Sequence, residues 1–111
     1  MKDKIICVDI DGVLTTQNEV PDFKNKTFKE LEEWFSCCKP NRIVIKKIAN
    51  LGKENYILIH TSRNDFFKKC TINWLKKNKI KYNDIIFGKP YYNFVIDDKS
   101  TLIEGVDYYE I

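Results

Sequence analysis

Asp9 and Asp11 stand one residue apart at the end of an apolar run, Ile5-Ile6-Cys7-Val8, and just before Gly12. Two carboxylates that close repel, so the pair implies a bound cation, a shared proton, or a division of nucleophile and acid roles. Other polar groups follow apolar runs in the same way. Thr61 and Ser62 come after Tyr56-Ile57-Leu58-Ile59, Lys89 after Ile85-Ile86-Phe87, and Asp97 and Asp98 after Phe94-Val95-Ile96. Gathered in one place, the four aspartates carry about −4 and destabilise one another unless neutralised. One hard divalent cation and one lysine offset most of that charge. Mg2+ suits the task, because it takes carboxylate, water and phosphate oxygens together. The set fits phosphoryl transfer. One carboxylate attacks phosphorus, and a second moves the proton to the leaving oxygen and later from water. A hydroxyl, an ammonium and Mg2+ hold the equatorial oxygens whose charge grows in the transition state. Uncatalysed hydrolysis of a phosphate monoester needs acceleration of up to ~10²¹-fold, so such groups are demanded together.

These groups meet only if the apolar runs are parallel strands. A four-residue apolar run reads as a strand covered on both faces, as in a parallel sheet. Ligands of such sheets sit outside the carboxyl ends of the strands. Between the runs lie helical patterns. Thr27 to Cys38 has Phe28, Leu31, Phe35 and Cys38 on one face, and Thr27 with Glu30 has the spacing of a capping box. Pro40 separates this from a second helix over Asn41 to Leu51, with Val44, Ile48 and Leu51 inward and Gly52 just past its end. A third helix, capped by Asn64 or Asp65, carries Phe67, Cys70, Trp74 and Leu75 and stops near Asn78. A fourth strand over Phe94 to Ile96, a helical turn around Leu102 and a weak edge strand over Val106 to Tyr109 close the chain. The alternation predicts an α/β protein: a Rossmann-like three-layer sandwich with a mainly parallel sheet of about five strands.

Asp9-Ile10-Asp11-Gly12-Val13-Leu14 resembles motif I of the haloacid dehalogenase (HAD) superfamily, D-x-D-G-[TV]-L. Ile59-His60-Thr61-Ser62-Arg63 resembles motif II, Gly88-Lys89-Pro90 is similar to motif III, and Val95-Ile96-Asp97-Asp98 to motif IV. Order and spacing agree over residues 4 to 101. The resemblance implies a HAD-like fold and a phosphomonoester hydrolase that works through an aspartyl-phosphate with Mg2+ as cofactor. It implies Asp9 as nucleophile and metal ligand, and Asp11 as acid/base with its backbone carbonyl on the metal. Thr61 would bind the transferring phosphoryl group, with Ser62 and Gly12 as further phosphate contacts, and Lys89 would orient and neutralise that group. Asp98 would be the remaining metal carboxylate and Asp97 a second ligand or support. An aspartate two past the nucleophile is typical of the family's phosphatases. The segment from residue 15 to 40, where a cap domain would stand, holds only a flap and one short helix, so the chain looks capless. An open site suits a bulky substrate, or a pocket completed by a second subunit of a homo-oligomer. The run Ile85-Ile86-Phe87-Gly88-Lys89-Pro90 through Asp98 also resembles small HAD proteins of capsule and surface-polysaccharide biosynthesis, which implies a sugar-phosphate or polysaccharide precursor as the small-molecule phosphate ester.

The 111 residues read as a single domain. Nineteen basic against 16 acidic side chains give only +3, with the lysines scattered, which argues against nucleic acid as a partner. No run approaches the ~20 apolar residues of a membrane span, and the N-terminal apolar run is too short for a signal peptide. Cys7, Cys37, Cys38 and Cys70 lack a zinc or disulfide spacing and read as the reduced thiols of a cytoplasmic protein. His60 reads as a packed residue. Arg63 reads equally as a substrate contact or as a solvated side chain at a helix start. Trp34 and Phe35 read as core rather than pocket mouth. Two other classes use similar groups. A phosphoacceptor domain of response-regulator type would place a lone aspartate at the end of an interior strand, which the chain lacks before Thr61. A metal-dependent nuclease or nucleic-acid end phosphatase would use the same aspartates.

Overall fold

The computed structural model of the protein describes residues 1–17, 21–90 and 96–98. Strand β1 is Ile5–Val8, helix α1 Phe28–Ser36, helix α2 Arg42–Leu51, strand β2 Tyr56–His60, helix α3 Lys68–Lys77 and strand β3 Asp84–Ile86. The strands form one parallel sheet in the order β1-β2-β3, with Val8 beside Ile59 and Ile59 beside Ile85. Pairing continues past β3 through the backbone: Thr61 donates to Ile86 O (3.0 Å) and Lys89 donates to Thr61 O (2.9 Å). That extension carries the Lys89 backbone up to the end of β2.

The side-chain period of two gives the sheet two unlike faces. Val8, Ile57 and Ile59 are buried on one face, with Ile6 and Ile85 partly so. They pack with Val44, Ile45 and Ile48 of α2, with Trp74 and Leu75 of α3, and with Ile10 and Leu14. Gly52 lets the end of α2 approach β2, since a Cβ there would lie 3.2 Å from Ile48 O and 3.3 Å from Ile57 Cγ1. On the other face Ile5 is 74% exposed, and Cys7, Tyr56 and Ile86 are exposed too.

The parallel α/β character expected from the sequence is therefore present, with the described helices α2 and α3 packed on one face of the sheet. Among the described residues the sheet has three strands rather than about five, with its core on one side. An apolar run of four looks alike whether both its faces are covered or only one. The strand expected at Phe94 to Ile96 falls outside the described residues except for Ile96, which is fully exposed and not in a strand. The turn near Leu102 and the strand at Val106 to Tyr109 lie outside them altogether.

Helix α1 begins as the sequence predicts. Thr27 Oγ1 accepts from Glu30 N (3.2 Å) and Glu30 Oε1 accepts from Thr27 N (3.0 Å). The excursion that contains α1 is tied at its base. Thr15 bridges to Pro40, Thr16 N donates to Lys39 O (2.9 Å), and Asn41 N donates to Leu14 O (2.8 Å). Helix α1 packs on α3 through a second apolar cluster of Leu31, Phe35, Phe67 and Cys70, with Trp34 joining both clusters.

Candidate active site

Asp9 follows β1 directly. Its Oδ1 accepts from Ile10 N at 2.8 Å, which starts a wide turn over Ile10–Leu14 closed by Thr15 N on Ile10 O (3.0 Å). Gly12 lies in this turn at φ +82°, where a side chain would be strained. Its N–H, expected on a phosphate oxygen, already donates to Thr15 Oγ1 at 3.0 Å. Lys89 Nζ stands 3.4 Å from Asp9 Oδ2, so the structure brings these two groups together at one edge of the sheet. Burial lifts the Asp9 carboxyl above its ordinary range, while the Lys89 ammonium and the Ile10 N–H pull it back.

Asp11 lies in a different environment. Its two oxygens accept from one guanidinium: Arg63 Nη2 reaches Oδ1 at 2.8 Å and Nε reaches Oδ2 at 3.0 Å. Arg63 is only 3% exposed, which corrects the expectation of a solvated side chain. Its Nη1 donates to Thr71 Oγ1 on α3 (3.1 Å), and Nη2 also lies 3.8 Å from Cys38 Sγ. The guanidinium carbon sits 4.3 Å from the centre of the Phe35 ring on α1. Phe35 is buried, as expected, but beneath a cation rather than inside an all-apolar core. The Cys38 thiol is pushed up to about 11 by burial, so it stays protonated.

Arg63 is the site residue that the sequence reading missed. One signal was available: with Lys89 set against Asp9, Asp11 lacked a counter-charge, and Arg63 is the cation two residues past Thr61 in the next strand's loop.

Thr61 and Ser62 follow β2 directly. Thr61 is fully buried, and its Oγ1 accepts from Arg63 N (3.1 Å), which helps shape the loop that presents Arg63. Gly88 N donates to Arg63 O (2.9 Å) and fixes the same loop from the β3 side. Ser62 is exposed, and His60 is half-buried at the end of β2. Asp97 and Asp98 are exposed.

Among the described residues no group of three or more His, Cys, Asp or Glu side chains is gathered for a metal. Mg2+ needs less than that: one or two carboxylates, with water and phosphate oxygens completing its shell. The Asp9 side chain, 36% exposed, is a hard oxygen donor of the right kind. Asp11 could add its backbone carbonyl, its carboxylate being turned toward Arg63. The donor chemistry therefore fits a water-rich Mg2+, not a closed cage of side chains.

No family model matches the chain, and no curated protein matches it. Among solved structures, the crystal structure of an MCSG target from Vibrio cholerae is similar, with a TM-score of 0.69 and 23% sequence identity over 96% of this chain and 92% of that one. The likeness is one of fold. No helix among the described residues is long and apolar enough to cross a membrane.

Proposed function

We propose that the protein is a Mg2+-dependent phosphatase of HAD type, which hydrolyses a phosphomonoester through an aspartyl-phosphate on Asp9. One observation carries this reading. Two carboxylates two positions apart have unlike partners, Asp9 a lysine at 3.4 Å and Asp11 a bidentate arginine. Neighbouring carboxylates in unlike surroundings are how one site divides nucleophile from acid/base.

Asp9, paired with Lys89, attacks phosphorus through its Oδ2 side, since Oδ1 is held by Ile10 N–H. Asp11 gives its proton to the leaving oxygen, then takes one from the water that cleaves the acyl phosphate. The guanidinium does not prevent this. A carboxylate has about four lone-pair sites, and Arg63 occupies one on each oxygen. Lys89 neutralises the transferring group. Ser62 offers a hydroxyl from an exposed position, and Thr61 Oγ1 still has its own proton to give while it accepts from Arg63 N. Bound Mg2+ would be held by Asp9, the Asp11 carbonyl and Asp98, with Asp97 in support, and would supply charge neutralisation at the phosphoryl oxygens. Turn and short helix in place of a cap leave room for a bulky ester such as a sugar phosphate.

The test is phosphate release from 4-nitrophenyl phosphate with Mg2+, with a chelator, and with Asp9→Asn. The expected result is turnover only with metal, and a loss of at least about 10³-fold in the variant, the scale set by removing a covalent nucleophile. Undiminished turnover by the variant would end the mechanism. A long-lived phosphoprotein without turnover would favour a phosphoacceptor domain instead, and cleavage of a diester would favour a nuclease.

A further inference from the structure

Arg63 is bound on every side. Asp11 takes two of its N–H groups, Thr71 Oγ1 takes a third, the Phe35 ring lies against its carbon, and Cys38 Sγ flanks Nη2. At 3% exposure it has no open edge to offer a substrate. Its backbone is fixed as well, by Thr61 Oγ1 on its N–H and by Gly88 N–H on its carbonyl. Asp11, in contrast, sits in a turn with a positive-φ glycine beside it, and among the described residues its carboxylate is hydrogen-bonded by this guanidinium alone. A two-point fork fixes both the position and the plane of a carboxylate, which a point charge does not.

The geometry points to Arg63 as the positioning residue for proton transfer: the α1 and α3 side chains anchor its guanidinium, which aims the Asp11 carboxylate at the leaving oxygen. Helix α1 and the excursion from residue 15 to 40 thereby become part of the catalytic apparatus. Phe35 and Cys38 come from that excursion and Thr71 from α3, so the segment where a cap would stand serves to hold the acid rather than to cover the site. This inference rests on the phosphatase reading above.

The leaving group separates aiming from folding. Phenyl phosphate departs as a basic oxygen that needs the proton, whereas 4-nitrophenyl phosphate needs it much less. Arg63→Lys keeps the positive charge and loses the fork. With Mg2+ present, kcat/KM for phenyl phosphate is expected to fall about 10²-fold, within the ~10²–10⁴-fold range of general acid catalysis, and for the nitrophenyl ester by less than about tenfold. Thr71→Val, nearly isosteric, should shift the ester ratio in the same direction by a smaller factor. It carries the test if Arg63→Lys does not fold, as judged by circular dichroism and thermal melting. In Asp11→Asn, adding Arg63→Lys should leave the ester ratio unchanged, because the carboxylate to be aimed is already gone. Equal losses on both esters would overturn the inference, and so would a rise in KM at constant kcat, which is the mark of a substrate contact. Wild-type protein that hydrolyses neither ester would overturn the phosphatase reading and this inference with it. Wild-type turnover with an unchanged ester ratio in Arg63→Lys and Thr71→Val would overturn this inference alone.

Discussion

Asp9 and Asp11 differ in what the fold asks of each. Burial raises the Asp9 carboxyl's pKa even with Lys89 and the Ile10 N–H opposing the shift. The folded state then binds the Asp9 proton more tightly than the unfolded chain does, so the ionised form costs stability. That cost is fully present above the folded pKa and is relieved as pH falls through it toward the ordinary carboxylate value of about 4. Asp9→Asn removes the charge while its amide oxygen keeps an acceptor for Ile10 N–H. In a chelating buffer at pH 7 the variant is expected to melt higher than wild type, by up to about 5 °C for a domain of this size. The gap should close as the buffer is acidified toward pH 4, a trend that calorimetry at several pH values would read. Adding Mg2+ should raise the melting temperature of wild type and leave Asp9→Asn in place. At this scale the sequence showed the carboxylates and the lysine, because each follows its own strand. It did not show Arg63, whose partners lie 52, 25 and 8 residues away in Asp11, Cys38 and Thr71. Such a cluster is created by packing and leaves no local spacing to read.

Among the elements, α1 was the most legible and yet carried an unforeseen duty. Its capping box and its apolar stripe are local features; the box stands where the sequence placed it, and of the stripe Leu31, Phe35 and Cys38 are buried while Phe28 is 52% exposed. What the pattern could not say was how the helix's end would be fastened. Trp74 of α3 donates its indole N–H to Cys38 O at 2.8 Å, just past the end of α1, and both residues are buried. This bond sets the spacing of the two helices that grip Arg63. Trp74→Phe keeps most of the ring volume but leaves the Cys38 carbonyl without that donor. Its expected cost is about 1–3 kcal/mol, the penalty for stranding a buried polar group, to be read from the urea unfolding midpoint. The same variant should lower activity on phenyl phosphate more than on 4-nitrophenyl phosphate, since a shift of the Cys38 end would loosen the grip on Arg63.

For the molecule as a whole, the parallel sheet was legible from the alternation of apolar runs and helical stripes. Which face of that sheet α2 and α3 cover was not. Ile5-Ile6-Cys7-Val8 reads as uniformly apolar, yet Val8 is buried beneath α2 and α3 while Ile5 and Cys7 are open. Composition alone cannot order alternate residues to opposite faces when all of them are apolar. The two architectures differ in a measurable way. In a sandwich with helices on both faces, truncating an isoleucine on either side empties a packed site and costs about 2–5 kcal/mol. With the packing seen among the described residues the cost is lopsided. Ile59→Ala, at a fully buried position of β2, is expected to cost within that range. Ile5→Ala, on the open face of β1, should change stability by no more than about 0.5 kcal/mol. Urea denaturation of the two variants reads the difference directly, and a large loss in Ile5→Ala would show packed groups on that face. The outcome also bears on the site. Asp9 extends from β1, and among the described residues α2, α3 and the Ile10–Leu14 turn pack against that strand and hold its end in place. Ile59→Ala should therefore weaken the pairing of Asp9 with Lys89 as well as the core, whereas Ile5→Ala should leave both intact.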